Sequence, residues 1–161
     1  GVYPAPVTDV LALDCEMVGS GSADLLGEVC VVNYDGDVVY HRYVKPALVV
    51  TDYRTPFSGL RAKDLRHGSH VKKVVEEVGK LIQGRIVVGH SVDNDFKVLM
   101  LTHPGPLTRD TSRCVLKGRL KPRKLKHLVK EHMGVDIQTG EHNPTEDARG
   151  AMLLYRKVHA E

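Results

Sequence analysis

The chain has 161 residues, a length typical of a single domain, with a net charge of +3 and 42% apolar residues. No apolar run approaches the roughly eighteen residues of a membrane span and no signal peptide leads the chain, so we expect no contact with membranes. The three cysteines form no C-x-x-C pair, which indicates reduced cysteines in an intracellular protein and argues against a cysteine zinc site.

Patterns of apolar residues predict a sheet that begins with an antiparallel hairpin. Residues 9–16 are too apolar for a half-exposed strand and too short for a helix, so they predict a buried first strand. A Gly/Ser loop is expected over 20–24. Strands over 28–34 and 38–44 then flank Asp35-Gly36, one of the strongest hairpin-turn dipeptides.

Helices and strands alternate in the rest of the chain. Apolar spacing and breaker residues predict strands over 85–89 and 107–110 and helices over 62–66, 69–83 (with Ser69 as N-cap), 92–101, 122–133 and 146–159. This alternation indicates an α/β domain with a mixed five-stranded sheet, flanked by helices on both faces because its first and fourth strands are apolar throughout. We expect one domain over 1–161 with a core over about 9–158.

Two carboxylates, Asp14 and Glu16, follow the apolar part of the first strand. Because side chains alternate between the faces of a strand, both project to one side, where unpaired burial would be costly. Oxygen ligands suit Mg²⁺ or Mn²⁺, so the pair indicates a divalent-metal site. Asp95 follows the fourth strand and Asp147 begins the last helix, where open α/β sheets build their sites. Taken alone, each of these acids is better explained as structural; the combination indicates a site.

Three segments carry these acids in order along the chain: Asp14-Cys15-Glu16-Met17-Val18-Gly19, Gly89-His90 with Asn94-Asp95, and His142 with Glu146-Asp147-Ala148. They resemble the three motifs of the DEDDh 3′–5′ exonucleases, and His142 precedes Asp147 at the spacing of the histidine subclass. Two further segments resemble the eukaryotic branch containing RNA exonuclease four and the interferon-stimulated exonucleases: Thr51-Asp52-Tyr53-Arg54-Thr55 with Ser58-Gly59, and Arg109-Asp110-Thr111.

The resemblance implies a fold, a reaction and a catalytic set. The fold is ribonuclease H-like, with one antiparallel strand in the mixed sheet, and the reaction is hydrolysis of RNA from its 3′ end to nucleoside 5′-monophosphates. Two Mg²⁺ or Mn²⁺ ions would be held by the four acids, with Asp14 bridging, Glu16 and Asp147 as ligands and Asp95 acting through water. His142 would be the general base.

Three further residues are candidates for contacts with the substrate. By resemblance, Met17 packs near the terminal nucleotide, Arg54 contacts the sugar or phosphate of an RNA end, and Leu60 is an apolar wedge that separates the last bases. Met17 and Leu60 have an equally good explanation as core residues. The side chain of Arg54 could also pair with phosphate through two hydrogen bonds on chemical grounds alone.

Two acidic positions depart from the family's pattern. Gly27-Glu28 stands where the interferon-stimulated relatives have a small residue and an arginine, and Glu141-His142-Asn143-Pro144 replaces the usual Gly-His-Ser-Ser segment. Glu141 also adds negative charge beside the expected base. These departures leave the catalytic set intact but put the substrate preference in doubt.

A basic block indicates a polyanionic partner. Between 111 and 130 the chain carries many cations and no acid: Arg113, Lys117, Arg119, Lys121, Arg123, Lys124, Lys126 and Lys130. Such blocks are more often solvated surface, but beside these motifs the block indicates a track for a phosphate backbone. The family resemblance implies that this partner is single-stranded nucleic acid, RNA rather than DNA. We expect the protein to be a monomer.

By resemblance, we expect the protein to be in the nucleus or nucleolus and to act in ribosomal RNA processing. Two alternatives stay open. One is a 3′–5′ DNA exonuclease that uses the same site, and the other is a nucleic-acid-binding scaffold with weak activity.

Overall fold

A six-stranded sheet forms the centre of the computed structural model, which describes residues 5–114, 124–138 and 140–160. Its strands are β1 (Val10–Ser20), β2 (Ala23–Val32), β3 (Val38–Lys45), β4 (Ser69–His70), β5 (Ile86–Gly89) and β6 (Thr108–Asp110). Their order across the sheet is β4-β3-β2-β1-β5-β6. β2 is antiparallel to both neighbours, and the other described pairings are parallel. The predicted mixed sheet with one antiparallel strand is confirmed.

Helices cover both faces of this sheet. They are α1 (Thr55–Ser58), α2 (Ala62–Leu65), α3 (Val71–Ile82), α4 (Val92–Val98), α5 (Thr111–Cys114), α6 (Leu125–Met133) and α7 (Pro144–Ala160). Of the predicted helix over 122–133, Pro122 and Arg123 lie outside the described residues. None of the helices in the described ranges is long and apolar enough to cross a membrane.

Two residues explain why the sheet has six strands rather than the five predicted. Ser69 and His70 pair with Val44 and Lys45 as β4, so the prediction of Ser69 as the N-cap of α3 is wrong. His70 takes that role, because its Nδ1 accepts a hydrogen bond from the backbone N of Lys72 at 3.2 Å. A two-residue strand that forms on a distant edge leaves no pattern in the local sequence.

The strands β1 and β2 extend towards each other beyond the predicted ranges 9–16 and 28–34, and a tight turn replaces the expected loop over 20–24. Ser20 pairs with Ala23, and Gly21 adopts a φ of 58°, a left-handed conformation that glycine tolerates. The pairing shifts register at a bulge between Glu16 and Met17. Bulges bend a strand and redirect its side chains, and this one lies beside the β1 carboxylates.

Alternation along β1 divides the core between the two faces of the sheet. Leu13 and Cys15 point into a large apolar cluster that contains residues of α3 and α4. Ala12 packs in a second cluster, built mainly with α7. Asp14 and Glu16 follow Ala12 at intervals of two, so both lie on the face that α7 covers.

Candidate active site

Asp14 and Glu16 stand in the middle of the sheet, where neighbouring β2 residues limit their access to water. Asp14 is paired across the strands with Cys30, and Glu16 with Glu28. Glu16 is buried, and Oδ2 of Asp14 is buried without a hydrogen-bond partner in the described part of the chain. A buried carboxylate oxygen without a partner is costly, and a bound cation would offset that cost.

The helices α4 and α7 bring two more carboxylates to the same place. Asp95 is in the first turn of α4, and its Oδ1 accepts a hydrogen bond from the backbone N of Cys15 at 3.2 Å. Asp147 is in the first turn of α7, and its Oδ1 accepts from Nε2 of Gln138 at 2.8 Å. Both acids are buried. The four acids singled out in three separate segments therefore converge.

Burial is the largest cause of a raised pKa in all four carboxyls. Repulsion from other members of the group raises the pKa of Asp14, Glu16 and Asp95 further, whereas the charge of Glu146 adds to the effect of burial on Asp147. Burial, with the charge of Asp147 second, raises the pKa of Glu16 to about 9. The pKa of Asp14 lies well above its usual range through burial and through the charges of Asp95, Asp147 and Glu16. Oxygen ligands held in this way fit a hard divalent cation, whose charge removes the repulsion.

His142 lies at the solvent-exposed rim of the four carboxyls. Its Nδ1 is 4.0 Å from Oδ2 of Asp147, and its side chain is 37% exposed. One ligand atom from each of Glu16, His142 and Asp147 lies within 4.8 Å of the others, so a single cation could contact all three. The geometry thus allows His142 two roles, as a metal ligand or as a base.

Contacts with α1 hold the backbone around His142. Its backbone N donates a hydrogen bond to the carbonyl of Phe57 at 2.7 Å. A Cβ on Gly59, whose φ is 72°, would lie 2.8 Å from the carbonyl oxygen of His142. Arg61 donates through both terminal nitrogens to Glu141, at 2.6 and 3.3 Å. The loop that carries His142 and the segment around α1 therefore form one joined unit.

The segment 109–111 has a structural role next to the site. Oδ1 of Asp110 accepts a hydrogen bond from the backbone N of Ser91 at 2.8 Å. Their chain neighbours are also in contact, since Nδ1 of His90 lies 2.9 Å from Oγ1 of Thr111. These contacts fix the turn between β5 and α4, and that turn determines where Asp95 enters the site.

Met17 is partly buried and contacts the large apolar cluster, as its core explanation requires. It also lines an open cleft of about 650 Å³ together with Asn94 and Lys97. Asn94 is the chain neighbour of Asp95, so this cleft, named here the Met17 cleft, adjoins the carboxyls. A contact of Met17 with substrate remains a prediction.

Arg54 and Leu60 differ in how accessible they are. Nη1 of Arg54 forms an ion pair with Asp24 at 2.7 Å near the tip of the β1–β2 hairpin. Leu60 is 1% exposed and packs with Val18 and Leu65. This packing fits the core explanation of Leu60, since its side chain offers no surface to a base. Substrate contacts of both residues remain predictions.

The two acids that depart from the family's pattern both have partners inside the protein. Oε2 of Glu28 lies 2.6 Å from Nε2 of His41, and Glu141 is bound by Arg61. Glu28 is also the cross-strand neighbour of Glu16, and its charge contributes to the raised pKa of Glu16.

Gln138 is a site residue that sequence reasoning missed. Its side chain orients Asp147, and its own backbone N donates to Oε1 of Glu146 at 2.9 Å, with φ at 55°. The residue lies in a stretch without periodicity or motif. No pattern in a single sequence would have indicated this contact.

A family model described as exonuclease, RNase_T, matches residues 11–155. The chain belongs to the exonuclease family. Curated relatives of this exonuclease domain include proteins named RNA exonuclease 4 from Cryptococcus neoformans (47% identical over 91% of the chain) and Homo sapiens (42% over 96%). A Bos taurus relative, 40% identical over 94% of the chain, is named interferon-stimulated 20 kDa exonuclease-like 2. The domain spans 37%, 38% and 47% of these proteins' lengths.

Solved structures of Pan2 are similar to the exonuclease domain over most of its length. The Neurospora crassa Pan2 catalytic unit (protease and nuclease domain) is 25% identical with a TM-score of 0.86, covering 94% of this chain and 27% of that one. A Saccharomyces cerevisiae Pan2 module in complex with AAGGA RNA is 27% identical with a TM-score of 0.85, covering 94% and 29%. The predicted family and ribonuclease H-like fold are confirmed.

Proposed function

We propose that this domain is a divalent-metal-dependent 3′–5′ exoribonuclease that releases nucleoside 5′-monophosphates. The observation that carries the proposal is the convergence of four carboxyls beside one histidine: Asp14, Glu16, Asp95 and Asp147, with His142. A surface that only binds nucleic acid has no use for carboxyls that repel a phosphate backbone. A two-metal nuclease requires them as ligands.

Asp14, Glu16 and Asp147 would hold two ions, with Asp14 between them and Asp95 contributing through water. When bound, Mg²⁺ or Mn²⁺ ions polarise the phosphate and make a water molecule more acidic. Asp14 suits a metal ligand because its buried Oδ2 has no hydrogen-bond partner among the described residues. Hydrogen bonds from the protein to Oδ1 fix the orientation of Asp95 and Asp147.

His142 would act as the general base, taking the proton of the attacking water at an imidazole nitrogen. Its exposed side chain allows that proton to pass on to solvent. Its backbone N donates to the carbonyl of Phe57, and this contact holds the residue beside the carboxyls. A positioned general base typically contributes about 10²–10⁴-fold to the rate.

We propose RNA rather than DNA as the substrate, and the support comes from the names of similar proteins and from the RNA bound to one of them. Relatives carry the name RNA exonuclease 4, and the similar Saccharomyces cerevisiae Pan2 module was solved in complex with RNA. The 2′-hydroxyl is the group by which a protein distinguishes the two polymers.

The test uses 5′-end-labelled, single-stranded oligonucleotides of one sequence, made as RNA and as DNA. We expect the RNA to shorten stepwise from its 3′ end in Mg²⁺ or Mn²⁺, with nucleoside 5′-monophosphates as products. EDTA and the variant Asp14→Asn should each abolish the reaction. Activity that persists in EDTA or in Asp14→Asn would refute the two-metal mechanism.

The same experiment separates the alternatives. Faster digestion of DNA than of RNA would favour the DNA exonuclease. Binding of either oligonucleotide without shortening, in all metals, would favour the scaffold. Products that carry a 3′-phosphate would exclude the proposed position of cleavage.

We further propose, from the family resemblance, that the domain acts as a monomer and that the protein functions in the nucleus or nucleolus in ribosomal RNA processing. Sedimentation of the domain and microscopy of the tagged full-length protein test these two points. A dimer in solution, or exclusion of the full-length protein from the nucleus, would contradict them.

A further inference from the structure

Two open clefts border the carboxyl cluster. The Met17 cleft adjoins Asp95. A second cleft, of about 530 Å³, is lined by His142 and Gln138, and the side chains of both contact the carboxyl of Asp147. We name it the Phe57 cleft, because Phe57 is the aromatic residue in its lining. A polymer whose scissile phosphate lay at the carboxyls could therefore extend into either cleft.

Phe57 is exposed in a way that packing does not explain. Its side chain is 69% exposed although an aromatic ring usually contributes to a core. Its backbone, in contrast, is held: the carbonyl accepts from the backbone N of His142 at 2.7 Å, and the backbone N donates to the carbonyl of Arg54 at 2.8 Å. Helix α1 therefore presents a flat apolar ring from a fixed position at the edge of the site.

The Phe57 cleft also has cationic walls. Lys124 and Lys126 line it, and both are exposed. An aromatic face with ammonium groups nearby is the combination that proteins use for unpaired nucleotides, whose bases stack on the ring while lysines contact the phosphates. The volume of the cleft is within the usual range for a small-molecule site and accommodates a nucleotide.

We propose that the ring of Phe57 is a stacking platform for one unpaired base of the substrate, on the His142 side of the scissile phosphate. The inference rests on the proposed function and adds a residue to it, since no motif of the sequence assigns a role to Phe57. Stacking on an aromatic ring accepts every base. Phe57 therefore contributes affinity for single-stranded ends without sequence preference.

The test measures binding in the Asp14→Asn background, where the proposed function predicts no hydrolysis. Single-stranded RNA carrying 2-aminopurine at one of the last four positions reports stacking through quenching of its fluorescence, and anisotropy of a labelled strand gives Kd. We expect quenching at one position. Phe57→Ala and Phe57→Leu should abolish that quenching and weaken binding about tenfold, whereas Phe57→Trp should keep both.

Leu153→Ala is the matched control, because Leu153 is an exposed apolar residue of α7 that lines neither cleft. It should leave quenching and Kd unchanged. Unchanged binding in Phe57→Ala, or binding by Phe57→Leu equal to that of the parent, would overturn the stacking role. Thermal unfolding of Phe57→Leu confirms that the variant is folded.

Gel analysis of the same samples keeps the two proposals apart. Shortened RNA in the Asp14→Asn background would contradict the proposed two-metal function, while the quenching would still report on Phe57. Intact RNA with no position-dependent quenching would overturn the platform and leave the proposed function standing.

Discussion

At the scale of single residues, the buried carboxyl of Glu16 lowers the stability of the metal-free protein as the pH rises. Its pKa is raised to about 9 by burial first and then by the charge of Asp147. The folded protein therefore holds a proton on this carboxyl over a pH range in which the unfolded chain has lost it. A folded-state pKa above the unfolded value gives stability that is complete at low pH and is lost as the pH rises.

We therefore expect metal-free protein to lose stability between about pH 4.5 and about pH 9, the unfolded and folded pKa values of Glu16. In EDTA, Tm should fall by on the order of 5 °C between pH 5.5 and 8.5. Mg²⁺ should reduce the fall, because a cation stabilises the ionised carboxyls. Glu16→Gln in EDTA is the control, since it removes the titrating carboxyl, and its Tm should fall less. A Tm that rises across this interval in EDTA would contradict the prediction.

His142 is the residue whose two possible roles make different predictions. If it is the base, His142→Gln should lower kcat by about 10²–10⁴-fold and keep the increase in Tm on adding Mg²⁺, because the acids still bind the ions. If it is a ligand, that increase should shrink as well. Glu16→Gln is the comparison variant and should lose both activity and most of the Mg²⁺ effect. We expect the first result, in kinetic and thermal measurements on the same samples.

Residue periodicity explains why part of the site could be predicted. The i, i+2 spacing places Asp14 and Glu16 on one strand face in any β-strand, and the spacing of His142 and Asp147 is set by the turn that opens α7. Gln138 and Phe57 obey no such local rule. Their positions depend on where loops from distant parts of the chain meet, so only coordinates show them.

At the scale of elements, the short helix α1 determines where the loop that carries His142 lies. Gly59 ends α1 with a φ of 72°, and it approaches the carbonyl of His142 so closely that a Cβ would lie 2.8 Å from that oxygen. The Ser58-Gly59 pair belongs to a motif that the sequence singled out by resemblance alone. The structure supplies a physical reason for the glycine.

Gly59→Ala should lower both stability and turnover. The left-handed backbone costs a non-glycine residue about 1–2 kcal/mol, and the added methyl group would displace the loop of His142. Gly84→Ala is the matched control, because Gly84 has a φ of 73° and nothing within 4 Å of its Cβ position. Denaturant unfolding should show a loss of stability in both variants, larger in Gly59→Ala because of the added clash. Only Gly59→Ala should lower kcat, by on the order of tenfold. Equal kcat values in the two variants would show that the contact does not position His142.

Helices and strands with a periodic pattern of apolar residues could be predicted from the sequence. Strand segments that form only because they pair with a neighbouring strand could not. Val74, Val78 and Ile82 recur at helical spacing and are buried on one side of α3, as expected. The strand β4 and the last residues of β1 have no such signal. They exist because a neighbouring edge accepts their hydrogen bonds, which is a property of the assembled sheet.

At the scale of the whole molecule, acidic and basic residues are separated: the four carboxyls form an acidic centre, and the lysines at the Phe57 cleft form a basic rim beside it. The net charge of +3 alone does not indicate this separation. The basic rim begins with Lys124 and Lys126 at the Phe57 cleft, while Lys117, Arg119, Lys121 and Arg123 of the basic block lie outside the described residues. In the proposed function, the basic rim would hold the polyanion while its scissile phosphate reaches the carboxyls. We therefore expect binding to weaken as the salt concentration rises.

Salt dependence measures how many phosphates the rim neutralises. Each lysine that contacts a phosphate of single-stranded RNA contributes about 0.7 to the slope of log Kd against log salt concentration. Lys124→Ala and Lys126→Ala should each reduce that slope by about this amount and weaken binding to all sequences equally. Lys157→Ala is the matched control, because Lys157 is an exposed lysine in the last turn of α7, about 20 Å from the start of that helix. It should leave the slope unchanged. An equal loss of slope in all three variants would mean that net charge, rather than the cleft, attracts the RNA.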